Sequence, residues 1–177
     1  MTAAFLAALG AEGPAPDRDV SLYGWLAGSW ALRVSFVTPD GARSEHPGEW
    51  HFGWVLEGRA LQDVWIVPPR GLRGQGGPDY YGTTLRIPSP QGGPWRILYL
   101  DPTIPFELAM TGRREGEEIH QHGTDPAGAA RRWRFSDITP ESFRWRGEVA
   151  LPDGAWHCHT DFEARRLEQP PTRRITA

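Results

Sequence analysis

The stretch Gly48–Val67, GEWHFGWVLEGRALQDVWIV, decides how this chain folds. Trp50, Phe52 and Trp54 recur at period two, the spacing at which strand side chains share one face. Glu57-Gly58 interrupts the run, and a second apolar segment follows as far as Trp65. A two-residue or a four-residue loop centred on Glu57-Gly58 gives the same register. Trp54 faces Leu61, Phe52 faces Asp63, and Trp50 faces Trp65. One face of this hairpin is therefore ring-rich and includes Asp63, while the other carries the smaller residues Gly53, Val55, Ala60 and Val64.

The rest of the chain continues the pattern. Short β-like runs lie near 29–38, 48–56, 59–67, 80–87, 95–101, 104–111, 117–123, 131–136, 142–150 and 155–165, divided by PDG, EG, SPQGGP and DPAG turns. A meander of ten strands leaves two open edges unless it closes. The expected fold is all-β: a single antiparallel up-and-down barrel of eight to ten strands, with a short N-terminal helix before Gly10. Residues 1–177 form one domain, with the barrel over about 22–166 and a mobile tail at 167–177.

A second hairpin separates inside from outside. With a two-residue loop at Asp153-Gly154, Arg146 faces Asp161, Arg144 faces Glu163 and Glu148 faces His159, a charge-matched ladder suited to the outer surface. The reverse face, with Phe143, Trp145, Val149, Trp156, Cys158, Thr160 and Phe162, is then the interior. Treating arginine as an outward marker sorts the other strands. Arg33 outside puts Trp30, Leu32, Val34 and Phe36 inside. Arg86 outside puts Tyr81, Thr83 and Leu85 inside. Arg96 outside puts Trp95, Ile97 and Tyr99 inside, and Arg132 with Arg134 leaves Trp133 and Phe135 inside.

Composition narrows the function. The 177 residues include nine Trp and have a net charge of −3, with no basic stripe, which argues against nucleic acid and anionic membrane surfaces. No stretch reaches membrane-spanning length. The start, MTAAFLAALGAEG, lacks a positive n-region and reads as a helix rather than a signal peptide. The single cysteine, Cys158, excludes an internal disulfide and suits a reducing cytoplasm.

The motifs WLAGSW (25–30), GEWHFGWVLEGRALQDVW, YYGTTLRI…WRILYLD and DGAWHCHTDFEARR resemble a bacterial family of calycin-like barrels. That family is allied to the lipocalin, fatty-acid-binding and nitrobindin barrels. The resemblance runs over roughly Leu22 to Arg166 and implies a fold with a lumen, Trp30 closing one end. The haem-binding branch opens with Gly-x-Trp-x-Gly-x-Gly; here Ala31-Leu32-Arg33 follows Trp30, a departure from that branch.

The expected function is binding of a hydrophobic or aromatic small molecule in a Trp-lined lumen. Its candidate ligand contacts are Trp30, Trp50, Phe52, Trp54, Asp63, Trp65, Tyr81, Tyr99, Trp145 and Phe162. An aspartate among rings needs a partner or a task, since burial of a lone carboxylate is costly. In the alternative reading, an isomerase, cyclase or hydratase acts on a polyketide- or terpenoid-like substrate, with Asp63, Tyr81 and Tyr99 as acid/base groups. A second alternative is a haem-binding barrel. The pairs His120/His122 and His157/His159 invite a metal, but register places them outside, and no glutamate follows His122 as it would in a cupin. Solvated histidines, no metal and no cofactor are expected, in a monomer or homodimer. Cys158 is expected to be an inert core thiol, and GLRGQGGPD a flexible loop.

Overall fold

The computed structural model describes residues 2–104 and 106–168; most of the expected tail lies outside them. A short helix α1 (Ala3–Leu9), capped by the Thr2 side chain, leads into a two-residue strand β1 (Gly10–Ala11) and a 3-10 turn at Gly24–Leu26. Ten longer strands follow: β2 (Gly28–Val37), β3 (Arg43–Val55), β4 (Ala60–Val67), β5 (Tyr80–Ile87) and β6 (Trp95–Asp101). The remaining five are β7 (Phe106–Glu115), β8 (Glu118–Thr124), β9 (Ala130–Ser136), β10 (Ser142–Ala150) and β11 (Trp156–Arg166). Each pairs antiparallel with its neighbour in sequence, and β11 returns to β2. The ring is closed, as the turn spacing predicts, and β1 adds to β3 outside it.

The β3–β4 hairpin has the expected register: Trp54 opposite Leu61, Phe52 opposite Asp63, and Trp50 opposite Trp65. Its loop spans four residues, with Gly58 at φ +75°, where a Cβ would stand 2.5 Å from the Ala15 amide nitrogen. Glycine is required there because the Ala15 N–H donates to the Gly58 carbonyl at 2.9 Å, seating the N-terminal segment on the turn.

Two strand faces differ from expectation. In β5 the inner residues are Tyr80, Gly82, Thr84 and Arg86, because Trp65 pairs with Gly82 and Asp63 with Thr84. Arg86 is wholly buried, while Tyr81, expected inside, is 37% exposed. The outward-arginine rule fails here because the inner face already holds a carboxylate for the guanidinium to meet.

In β10–β11 the ladder below Gly147 is as expected, with Arg146 opposite Asp161 and Arg144 opposite Glu163. Above it, Glu148 faces Cys158 rather than His159, Val149 faces His157, and His159 is the extra residue of a β-bulge. Leu151 and Ala155 bracket a three-residue loop instead of two, which shifts the upper register by one. Trp156 and Cys158 therefore lie on the outer face. There the Arg132 guanidinium stacks over the Trp156 ring at 4.4 Å. His157 and His159 turn toward the lumen rim.

One end of the barrel is plugged. The 3-10 turn packs Tyr23, Trp25 and Leu26 beneath the strands, and the Trp30 indole N–H donates to the Leu26 carbonyl at 2.8 Å. The Arg166 guanidinium covers the Trp30 ring at 4.0 Å and donates to the Ala27, Trp25 and Pro140 carbonyls. Trp30 closes this end, as the resemblance implies. Tyr23 enters the lumen, where its hydroxyl accepts from the Gln121 amide at 2.8 Å.

Above this plug sits the buried pair. Asp63 Oδ2 is bonded by Arg86 Nη1, and Oδ1 accepts the Thr84 N–H at 3.1 Å. Both side chains are fully buried. Removing one member of a buried ion pair leaves an uncompensated charge, at a cost of about 3–5 kcal/mol, whereas replacing both with apolar groups is far milder. Asp63→Asn should thus lower stability strongly in chemical denaturation. The double variant Asp63→Leu/Arg86→Met should recover much of that loss. A single variant as stable as the parent would show that the pair does not hold the fold.

Candidate functional site

At the end opposite the plug the barrel opens into a cavity of about 400 Å³. Its walls are rings from nine strands: Phe36 of β2, Trp50 of β3, Trp65 of β4, Tyr80 of β5, Tyr99 of β6, Phe106 of β7, Trp133 of β9, Trp145 of β10 and Phe162 of β11. Alternation supplies them, since each occupies an inward position of its strand. The rings brace one another: Trp145 stacks on Phe162 with centroids 4.5 Å apart, and Trp65 on Tyr80 at 5.4 Å. The floor is reached at Thr84 and Trp50, directly over the Asp63 layer.

The polar lining includes Thr38, Thr84, Tyr99, Arg131, His159 and Thr160, and among the described residues no carboxylate lines the cavity. Acids stand behind the wall and orient these groups. The Trp65 indole N–H donates to the Tyr99 hydroxyl at 3.1 Å, which donates to Asp101 Oδ2 at 3.2 Å. Burial, followed by the nearby Asp101 charge, pushes the Tyr99 phenol far above its ordinary value, so it remains a neutral hydroxyl. Asp101 also accepts the Thr103 N–H at 2.9 Å, the turn role its place before Pro102 suggests. Gly82 makes the crossing of Trp65 and Tyr99 possible: a Cβ there would come within 2.8 Å of the Tyr99 ring.

Arg131 is held at the mouth. Its Nε donates to Asp125 Oδ2 at 2.8 Å, and its guanidinium lies 5.5 Å from the Phe106 centroid. His159, carried inward by the bulge, meets the Thr160 hydroxyl through Nδ1 at 2.7 Å. Its Nε2 is enclosed and has no partner. Burial, then the Arg131 and His157 charges, pull the imidazole down to about 4, so it is neutral near pH 7. His157 closes the rim through Nε2, 3.0 Å from the Val37 carbonyl oxygen.

Of the sequence-stated ligand contacts, Trp50, Trp65, Tyr99, Trp145 and Phe162 line the cavity. Trp30, Phe52 and Trp54 are inside but belong to the packed half. Asp63 is inside as expected, one layer beneath the floor and bonded to Arg86. Burial pushes its carboxyl up against the pull of the Arg86 charge; the Trp50 indole N–H, without a fully formed hydrogen bond, adds a smaller downward pull. Tyr81 faces solvent. The three candidate acid/base groups, Asp63, Tyr81 and Tyr99, are therefore not brought together. Cys158 is half-buried on the outer face, its thiol pushed up by burial and by Asp161 and Glu148, which makes it a poor nucleophile. Sequence reasoning missed Arg131, His159 as a lining residue, Tyr80 and Phe106. Arg131 could have been found from Trp133 and Phe135, since 131 shares their parity.

No known family profile and no curated protein matches the chain. Solved structures share its fold. Rv2717c from M. tuberculosis is 18% identical with a TM-score of 0.60, over 88% of this chain and 99% of that one. The S-type phycobiliprotein lyase CPES from Guillardia theta is 11% identical with a TM-score of 0.57, over 82% and 90%. At these identities the likeness is one of architecture.

The state of His159 yields a pH prediction. Its folded pKa of about 4 lies below the ordinary 6.5, so the unfolded chain binds more protons between these values. The His159 contribution to stability is whole above pH 6.5 and is lost as pH falls toward 4. His159→Gln should therefore lose less stability than the parent over that window, measured by denaturant midpoints at matched pH. Parallel profiles would place the imidazole in water.

Proposed function

We propose that the barrel binds a small hydrophobic or aromatic molecule in its open end. The carrying observation is the division of the interior. Rings and the Tyr23 plug pack the half below the Asp63–Arg86 layer, and above it the rings stand at the perimeter of a chamber within the ~300–1,000 Å³ range of ligand sites. The sole charged side chain on its wall among the described residues is Arg131, at the mouth. A ligand with an apolar, ring-bearing body and an anionic or hydrogen-bond-accepting end suits that arrangement, body inward and polar end at Arg131. The shared fold of a phycobiliprotein lyase supports a small-molecule role by analogy of architecture alone.

An isomerase or hydratase in the same lumen is less favoured by the geometry. Asp63 is tied to Arg86, Tyr81 is outside, and the Tyr99 phenol is held neutral between Trp65 and Asp101. Haem held by His159 meets a different obstacle. The imidazole is neutral and oriented by Thr160, as a ligand should be, but the Nε2 that would bind iron has no open surface in front of it. The residues do not fit that group.

Two related probes test the binding reading. Neutral N-phenyl-1-naphthylamine should bind with a rise in fluorescence, and Ile104→Trp, at the cavity rim, should abolish the rise while the protein stays folded. The anionic analogue 8-anilino-1-naphthalenesulfonate should bind more tightly than the neutral one, and Arg131→Gln should cut that advantage roughly tenfold. Binding of both probes undiminished in Ile104→Trp would sink the lumen as the site.

Haem titration should give no Soret band that depends on His159. A band present in the parent and abolished by His159→Ala would overturn the conclusion drawn from the enclosed Nε2.

A further inference from the structure

The outer face of the β7–β8 hairpin gathers Glu115, His120 and His122, none of which belongs to the lumen. The strands turn tightly at Gly116-Glu117, so Glu115 pairs with Glu118, Arg113 with His120 and Thr111 with His122. The histidines lie outside as expected, and this turn brings Glu115 beside them. Glu115 Oε2 lies 3.1 Å from His120 Nδ1, and Oε1 lies 3.7 Å from His122 Nε2. One ligand atom from each of the three residues can be chosen so that all lie within 4.8 Å of one another.

We propose that these three side chains form a binding site for a divalent transition cation of the zinc class. Zinc bound to imidazole nitrogen and carboxylate oxygen has bonds of ~2.0–2.1 Å, so neighbouring ligand atoms of a tetrahedral site stand about 3.3 Å apart. The 3.1 Å between Glu115 Oε2 and His120 Nδ1 matches that edge, and with one ligand atom from each residue within 4.8 Å of the others, movement of the His122 side chain completes the fit. Imidazole nitrogens with one carboxylate select zinc, copper or nickel over magnesium and calcium, which prefer all-oxygen shells.

A second layer of contacts supports the site. Glu118 Oε2 lies 2.7 Å from His120 Nε2, so an Nε2–H donating to this carboxylate leaves Nδ1, the atom facing Glu115, free to ligate. Glu118 is in turn held by Arg134 at 3.3 Å, and Arg134 by Glu148 at 2.9 Å. This carboxylate–histidine arrangement fixes the ring before any ion arrives. Arg113, whose Nε donates to Glu115 Oε1 at 2.9 Å, competes for one carboxylate oxygen and leaves the other to the ion. Three protein ligands on an exposed face leave a fourth position for water or an outside donor, so the ion would clamp the hairpin and remain accessible.

The test uses the full, untagged chain titrated with zinc chloride by calorimetry. One equivalent should bind with micromolar affinity. His122→Ala and Glu115→Gln should each weaken binding at least tenfold, and Glu118→Gln, which acts only through His120, by about tenfold. His46→Ala, a histidine on β3 away from the cluster, should leave binding unchanged. Cobalt should give the strong visible bands of a four-coordinate ion, lost in His122→Ala. Circular dichroism confirms that each variant folds. Absence of binding, or equal affinity in folded His122→Ala, overturns the proposal without touching the lumen reading, because none of these residues lines the cavity.

Discussion

A carboxylate and a guanidinium with no access to water set the arrangement of this barrel. Asp63 and Arg86 face inward from β4 and β5 and meet through a direct hydrogen bond. Either charge alone in this interior would cost several kcal/mol, so each strand is committed to the parity that brings the two together. A slip of one residue in β5 would put Arg86 outside and leave Asp63 alone among rings. The remaining guanidinium nitrogens, Nε and Nη2, have no hydrogen-bond partner. The rings of Tyr23, Phe52, Phe135 and Trp50 surround that cation at 5.5–6.0 Å, and their negative faces take over part of the role of water.

The same pair divides the interior by chemistry. Below it, Tyr23 and the 3-10 turn fill the lumen and Arg166 seals Trp30. Above it, the inward positions of β5 shrink to Gly82 and Thr84 while large rings stand at the perimeter, and the chamber begins. The acid that attracts attention in the sequence is thus a floor element. It shapes the cavity by fixing β4 and β5 and by presenting Thr84 and Trp50 to the space, without itself reaching a ligand.

Much of this was legible in the sequence, and what was not has separate physical causes. The Glu57-Gly58 turn and the period-two rings of β3 and β4 give the register directly, because side-chain parity follows from the turn. Closure follows from the count of strands. Arg86 was misplaced because outward arginine is a statement about solvation, and a buried counter-charge reverses it. Asp63, read as needing a partner, contained the information; the partner on the next strand is Arg86, the same residue whose charge set the parity of β5. His159 and Trp156 were misplaced because Pro152-Asp153-Gly154 closes a three-residue loop, and a bulge restores the ladder below it. Neither loop length nor bulge is written in alternation. Glu115 is not legible in the run after His122, because an antiparallel hairpin supplies the third ligand from the strand before it.

Regular pairing builds the wall, and its interruptions place the unusual side chains. A strict ladder in β11 would keep Trp156 and Cys158 inside and both histidines in water. The single extra residue exchanges these roles, so that His159 reaches the cavity and Trp156 lies beneath Arg132 on the surface. The exchange occurs at the mouth, near the loop end of the β10–β11 pair, where only three paired positions lie beyond the bulge. At the plugged end the inward side chains are buried in one core cluster. The barrel therefore keeps its rigid, charge-locked layer deep inside and its variable chemistry at the rim, where Arg131 of β9, Ile104 of the β6–β7 turn and His159 of β11 come from separate segments. Substitutions at these rim positions can change what the chamber admits while the Asp63–Arg86 layer keeps the strands in register.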